Sequence, residues 1–135
     1  MKYTFDDYFM DLAKRTAKQS YCKRAKVGAI IVKDKRIIAT GYNGTISGFK
    51  NQCENGKLTD HSVVVHAEQN AIIQCARNGV STVGSTMYCT YTPCEECAKL
   101  ILQSGVKEFV YLKEYKKKRG LKLLKQKIKV RRYND

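Results

Sequence analysis

Two short segments of this 135-residue chain hold side chains that could act together: His66-Ala67-Glu68 and Pro93-Cys94-Glu95-Glu96-Cys97. Cys94 and Cys97 are three positions apart, so at the start of a helix both sulfurs can face one point. Two thiolates and one imidazole form a borderline-soft donor set that suits zinc. The positive end of a helix also favours deprotonated cysteine. Three protein ligands leave a fourth tetrahedral position for water, whereas structural zinc sites usually close it with another Cys or His. Glu68 is two residues from His66 and can reach such a water without being a ligand, taking its proton and later handing it on. That chemistry suits hydrolysis at an electrophilic carbon, including loss of an amine. A Cys-x-x-Cys pair alone would equally fit a redox motif, a structural zinc or two buried cysteines. The His-x-Glu segment at a helix start, and proline directly before Cys94, favour catalytic zinc. A thioredoxin-like pair should instead follow a strand near the N-terminus of a different βαβ pattern.

The elements that must hold these residues can be read from periodicity. Phe5, Tyr8, Phe9, Leu12, Ala13 and Thr16 fall at helical spacing over residues 5–19, with Thr4 as N-cap. Val27 to Val32 is a short apolar run followed by the turn Lys33-Asp34-Lys35. A second strand from Arg36 to Thr40 stops at Gly41, which completes a predicted hairpin. Residues 43–62 read as one long, glycine-containing connection, and loops of that length are often binding loops. Ala67, Ala71, Ile72 and Cys75 predict a helix over 66–78 that ends at Gly79. Strands are expected at Thr86–Thr90 and Phe109–Leu112, with a helix over 94–104 between them, opened by Pro93 and closed by Gly105. A basic helix over 116–125 and an edge-like strand from Ile128 to Arg132 complete the pattern. Strand–helix–strand alternation after residue 86 points to an α/β layered fold, with residues 1–135 as one domain.

Composition narrows the class. The chain is 43% apolar and 28% charged, enough for one core and too ordered a pattern for a disordered segment. No apolar run approaches the length of a membrane span, and the opening Met1-Lys2-Tyr3-Thr4-Phe5-Asp6-Asp7 lacks a secretory stretch. We therefore expect no membrane partner and a cytoplasmic location, the host cytoplasm for a phage- or virus-encoded copy. Six cysteines without a secretion signal favour metal ligation or burial over a disulfide framework. Net charge is +14, and residues 113–135 hold 11 basic side chains against two acidic ones. Such a basic end suits a phosphate ester or a nucleic acid, so by itself it names neither.

The residues His66-Ala67-Glu68-Gln69-Asn70-Ala71-Ile72 and Pro93-Cys94-Glu95-Glu96-Cys97-Ala98-Lys99 resemble the zinc-dependent cytidine/deoxycytidylate deaminases. Val27-Gly28-Ala29, Gly41-Tyr42-Asn43-Gly44 with Gly48, and Leu100 to Lys107 narrow the resemblance to the deoxycytidylate (dCMP) branch. It runs from about Tyr8 to Val130. The resemblance implies a three-layer α-β-α fold with a central five-stranded mixed sheet. It implies zinc on His66, Cys94 and Cys97, with Glu68 as the catalytic proton carrier for conversion of dCMP to dUMP and ammonia. Substrate contacts would come from Asn43 and from the backbone at Ala67 and Thr90, with Tyr115 near the phosphate. Asn70, one turn after His66, would support the active-site loop. Turn duty for Asn43, helix surface for Asn70 and simple packing for Tyr115 remain open beside these roles. Cys75 and Cys89 read as core cysteines.

The same resemblance makes Cys22, Cys53 and His61 candidate ligands of a second, structural zinc. These supply three donors where four are usual, so water, a carboxylate such as Asp60 or Glu54, or a further unidentified residue would have to complete the set. Relatives of this kind are often homohexamers activated by dCTP-Mg²⁺ and inhibited by dTTP near the glycine-rich loop, here Tyr42, Asn43, Gly44 and Gly48. The short lysine-rich C-terminal helix departs from that pattern. A tRNA or single-stranded DNA base deaminase, a free cytidine deaminase and a non-enzymatic zinc-stabilised nucleotide-binding module are the alternatives. The absence of Trp weakens the nucleic-acid readings, since no stacking platform for a single strand stands out.

Overall fold

The computed structural model describes residues 2–135. Helix α1 (Phe5–Ala17) begins at Thr4, whose hydroxyl accepts from the Asp7 backbone N–H while the Asp7 carboxylate accepts from the Thr4 N–H. Strands β1 (Gly28–Lys33) and β2 (Arg36–Tyr42) form the expected antiparallel hairpin. Its two-residue turn puts Asp34 and Lys35 at φ of 51° and 62°, the twist that such tight hairpins prefer. Helix α2 (Ala67–Asn78) ends on Gly79 in the left-handed conformation. Strand β7 (Thr86–Tyr91), helix α3 (Glu95–Gln103), strand β8 (Glu108–Lys113), helix α4 (Arg119–Lys125) and strand β9 (Lys129–Arg132) follow in alternation.

One mixed five-stranded sheet runs in the order β2-β1-β7-β8-β9. Strand β1 is antiparallel to both neighbours, whereas β7, β8 and β9 are parallel and joined through α3 and α4. Alternate residues on each strand serve opposite faces, which is the period-two signature of a sheet covered on both sides. Ile30, Val32, Tyr88 and Val110 pack with Phe9, Met10 and Ala13 of α1. Ala29, Ile31, Met87, Cys89 and Phe109 pack with Ala71 of α2, Ala98 and Ile101 of α3, and Leu121 and Leu124 of α4. This is the expected α-β-α arrangement, with α1 on one face and the other three helices on the opposite one. Cys75 and Cys89 are buried in that second layer, as read from the sequence.

The structure corrects several boundaries. The second strand does not stop at Gly41 but runs through it to Tyr42. Glycine is required there by close approach: a Cβ would lie 2.3 Å from the Ala67 carbonyl oxygen and 2.5 Å from the Ala71 nitrogen. The 43–62 connection is not wholly irregular. It contains β3 (Gly44–Thr45), β4 (Glu54–Asn55) and β5 (Leu58–Thr59), and β3 pairs with β6 (Val64–Val65) just beyond it. The basic helix starts at Arg119 rather than 116, because Tyr115 N–H donates to Thr92 Oγ1 at 2.7 Å and holds the preceding stretch against another loop. Cys22 and Cys53 are joined as a disulfide, against the expectation that burial or metal ligation would account for all six cysteines. Among the described residues no helix is long and apolar enough to cross a membrane.

Candidate active site

The site lies at one end of the sheet, where β2, β7 and β8 finish and β1 begins. Open α/β sheets place ligands at the carboxyl ends of their parallel strands for topological reasons. Here the geometry brings the first turns of α2 and α3 together. His66 is the N-cap of α2, its backbone N–H donating to Gln69 Oε1 at 2.9 Å. Cys94 is the N-cap of α3, and its sulfur accepts from the Cys97 backbone N–H at 3.5 Å. His66 Nδ1 then stands 3.1 Å from Cys97 Sγ and 3.6 Å from Cys94 Sγ. The three donor atoms lie within 4.8 Å of one another, a separation that one tetrahedral ion can span. The donor set therefore fits zinc in both chemistry and placement.

Electrostatics agree with that assignment. The Cys97 thiol hydrogen bond, with His66 and the Cys97 N–H, holds the Cys94 thiol down at about 4. Cys97 is pushed strongly upward by its hydrogen bond to Cys94 and by burial. A hydrogen bond to Cys94 raises the His66 imidazole. Glu68, on the first turn of α2, is only 5% exposed. Burial lifts its carboxyl to about 7, against the lowering effect of its own backbone N–H and of His66. A carboxyl poised near neutrality can both accept and donate a proton at the same pH.

His66, Glu68 and Cys94 open onto a cavity of about 570 Å³ that is also lined by Asn43 and Tyr115, by the cations Arg24, Lys116 and Lys117, and by the carboxylates Glu54 and Glu114. That size is ordinary for a small-molecule site. The Asn43 side chain accepts from Val27 N–H and donates to the Ala25 carbonyl, both at 2.8 Å, so it fixes the wall that carries Arg24. Ala67 lines the cavity beside His66. Thr90 is buried behind it, its hydroxyl accepting from Gly28 N–H at 3.1 Å. Asn70 is placed elsewhere, with its amide donating to the Tyr42 carbonyl at 2.8 Å and facing a second cavity of about 620 Å³. Tyr42, Gly44 and Gly48 line that second cavity, whereas Asn43 between them lines the first.

The second expected metal cluster takes a different form. Cys22 and Cys53 are bonded to each other, and the carboxylate grouped with them is Glu54, not the His61 imidazole. Glu54 accepts from the backbone N–H groups of Lys23 and Arg24 at 2.9 and 3.1 Å. His61 instead stands with its ring centroid 6.5 Å from that of His66. Arg24, Lys116 and Lys117 were not singled out from the sequence. Their only signal there is charge, which they share with most of the chain's surface.

Residues 3–113 match the cytidine and deoxycytidylate deaminase zinc-binding region, and the chain belongs to that family. It is 45% identical over 116 residues to ComE operon protein 2 of Bacillus subtilis, covering 84% of this chain and 61% of that one. It is 40% identical over 124 residues to the deoxycytidylate deaminase of Mycobacterium phage D29, covering 82% of this chain and 95% of the phage enzyme. The dCMP deaminase of cyanophage S-TIM5, solved in complex with dCMP and dUMP, superposes with a TM-score of 0.93 at 41% identity, covering 98% of this chain and 99% of that one.

Proposed function

We propose that this protein hydrolyses dCMP to dUMP and ammonia. The observation that carries the reading is a buried carboxyl beside a two-sulfur, one-imidazole cluster, in a cavity where Arg24, Lys116 and Lys117 offer partners for a phosphate. Zinc held by His66, Cys94 and Cys97 would make water nucleophilic at neutral pH. The chain's own residues then account for proton traffic and binding. Glu68 takes one proton from the attacking water and passes it to N3 of the cytosine ring, then takes the remaining proton from the C4 hydroxyl so formed and passes it to the departing amine. Water supplies the oxygen at C4, the C4–N bond breaks, and the amine leaves as ammonia. Arg24, Lys116 and Lys117 meet the 5′-phosphate at the mouth, while the Asn43 wall and the Ala67 backbone hold the nucleoside. The likeness to a dCMP-bound structure supports this choice over a free base or nucleoside, which would leave Arg24, Lys116 and Lys117 without a phosphate to meet.

The test is ammonia release from dCMP, deoxycytidine and a cytosine-containing oligonucleotide by zinc-loaded protein. The reading expects dCMP to be strongly preferred, and comparable turnover of deoxycytidine sinks it. Faster turnover of the oligonucleotide would place the protein among nucleic-acid base deaminases. Glu68→Gln should lower kcat at least about 100-fold while zinc content stays unchanged, because it removes the proton carrier and no ligand. The same reading includes a homohexamer in the cytoplasm, activation by dCTP-Mg²⁺ and inhibition by dTTP. The second cavity, lined by Tyr42, Gly44 and Gly48, is the place for those effectors.

A further inference from the structure

We propose that Gly120 is a positioning residue of the active site. Its missing side chain lets the first turn of α4 seat on the carbonyls of Pro93 and Cys94. That seat fixes both the Cys94 ligand turn and the stretch carrying Tyr115, Lys116 and Lys117 to the mouth.

The approach is too close for any other residue. A Cβ at Gly120 would lie 2.1 Å from the Pro93 carbonyl oxygen and 2.8 Å from that of Cys94. Both obstacles are backbone atoms and cannot rotate away. The Cys94 carbonyl is already committed, accepting the Ala98 N–H at 2.9 Å as an early hydrogen bond of α3. Gly120 itself is buried, and the next residues, Leu121 and Leu124, anchor α4 in the core. The helix therefore cannot retreat from the turn without giving up buried contacts.

Three further bonds tie the same two segments together. Thr92 N–H donates to the Lys113 carbonyl at 3.0 Å, and Tyr115 N–H donates to Thr92 Oγ1 at 2.7 Å. Arg119 Nε reaches Glu95 Oε2 at 3.1 Å, directly after the ligand Cys94. Residues 113–120 thus form a buttress whose inner side braces Thr92–Glu95 and whose outer side presents Lys116 and Lys117 to the cavity. Groups that orient metal ligands in this way commonly govern affinity as much as the ligands do. The half concerning the mouth rests on the dCMP reading above; the half concerning the ligand turn rests on geometry alone.

Gly120→Ala separates this role from ordinary helix energetics. Alanine is the better helix former, so propensity alone predicts a higher Tm. The seat predicts a lower Tm, zinc affinity down about tenfold in chelator competition, and KM for dCMP up about fivefold. The loss of kcat/KM on deoxycytidine should be smaller, since that substrate has no phosphate to misplace. Lys122→Ala on the exposed side of α4 serves as control and should behave as the parent. If Gly120→Ala does not fold, Thr92→Val decides: by removing the acceptor of Tyr115 N–H it should raise KM for dCMP more than for deoxycytidine. Overturning results are a Gly120→Ala protein with unchanged zinc affinity and KM and an unchanged or higher Tm, or, in the second variant, equal effects on both substrates. Should the parent fail to deaminate dCMP while Gly120→Ala still loses zinc, the ligand-turn half stands and the substrate reading falls.

Discussion

At the residue scale, the clustering of His66, Cys94 and Cys97 beside Glu68 was legible because these residues are near in sequence or share a helix start. His66 and Glu68 are two apart, Cys94 and Cys97 three apart, and both segments open helices, so local spacing already fixed where the side chains point. Residues whose roles depend on distant chain segments were harder to read. Asn70 lies one turn after His66, yet its amide donates to the Tyr42 carbonyl and it lines the second cavity. Cys22 and Cys53 are 31 positions apart, and no pattern between them announced their bond. The cations at the mouth were hidden among 26 basic side chains, since charge has no period to single out the useful ones. Structure selects Lys116 and Lys117, which are exposed and lie on the cavity rim. Replacing both by Gln should raise KM for dCMP about five- to tenfold with kcat nearly unchanged, as expected for exposed charge contacts to a phosphate. Deoxycytidine kinetics should not move. A matching loss on both substrates would mean that these lysines shape the site rather than bind phosphate.

At the element scale, helices and strands followed their apolar periods closely, but their ends were set by tertiary contacts. Strand β2 passes through Gly41 because α2 lies against it, and α4 begins late because Tyr115 is bonded to Thr92. The edge strand β9 shows a similar dependence. Its Arg131 reaches Asp6 on α1 at 2.6 Å and Glu108 on β8 at 2.6 Å, while Tyr88 donates to Asp6 from β7. One guanidinium thereby ties the last strand to the first helix across the sheet. The Arg131 hydrogen bond holds the Asp6 carboxyl below its ordinary 3.8, with help from Tyr88 and against partial burial. A carboxyl lowered in the folded state adds stability above its unfolded value and loses it as pH falls through the folded one. Thermal stability should therefore drop below about pH 4 more steeply in the parent than in Asp6→Asn. At pH 7 that variant should be less stable by about 1 kcal/mol, a modest figure because about a third of each partner meets solvent. Parallel acid profiles for the two proteins would show that the tie contributes nothing.

At the scale of the whole molecule, one short stretch of wall, residues 42–44, lines both cavities. Tyr42 and Gly44 face the second cavity while Asn43 faces the first, and the Asn43 amide holds the 25–27 segment behind Arg24. The Asn70 amide, bonded to the Tyr42 carbonyl, connects that wall to the helix carrying His66 and Glu68. An effector bound in the second cavity, as proposed above, would have a short route to substrate affinity without contact with the reacting atoms. Arg77 is exposed on the rim of the second cavity and is a suitable partner for a triphosphate. With dCTP-Mg²⁺ present, KM for dCMP should fall several-fold at unchanged kcat, a coupling of about 1 kcal/mol. Arg77→Gln should abolish that response while leaving activity without effector at the parental level, since Arg77 is not part of the catalytic cavity. Initial rates at subsaturating dCMP, with and without nucleotide, read both effects directly. If dCTP changes nothing in the parent, the wall is a static partition; if it activates both proteins equally, the effector binds somewhere other than beside Arg77.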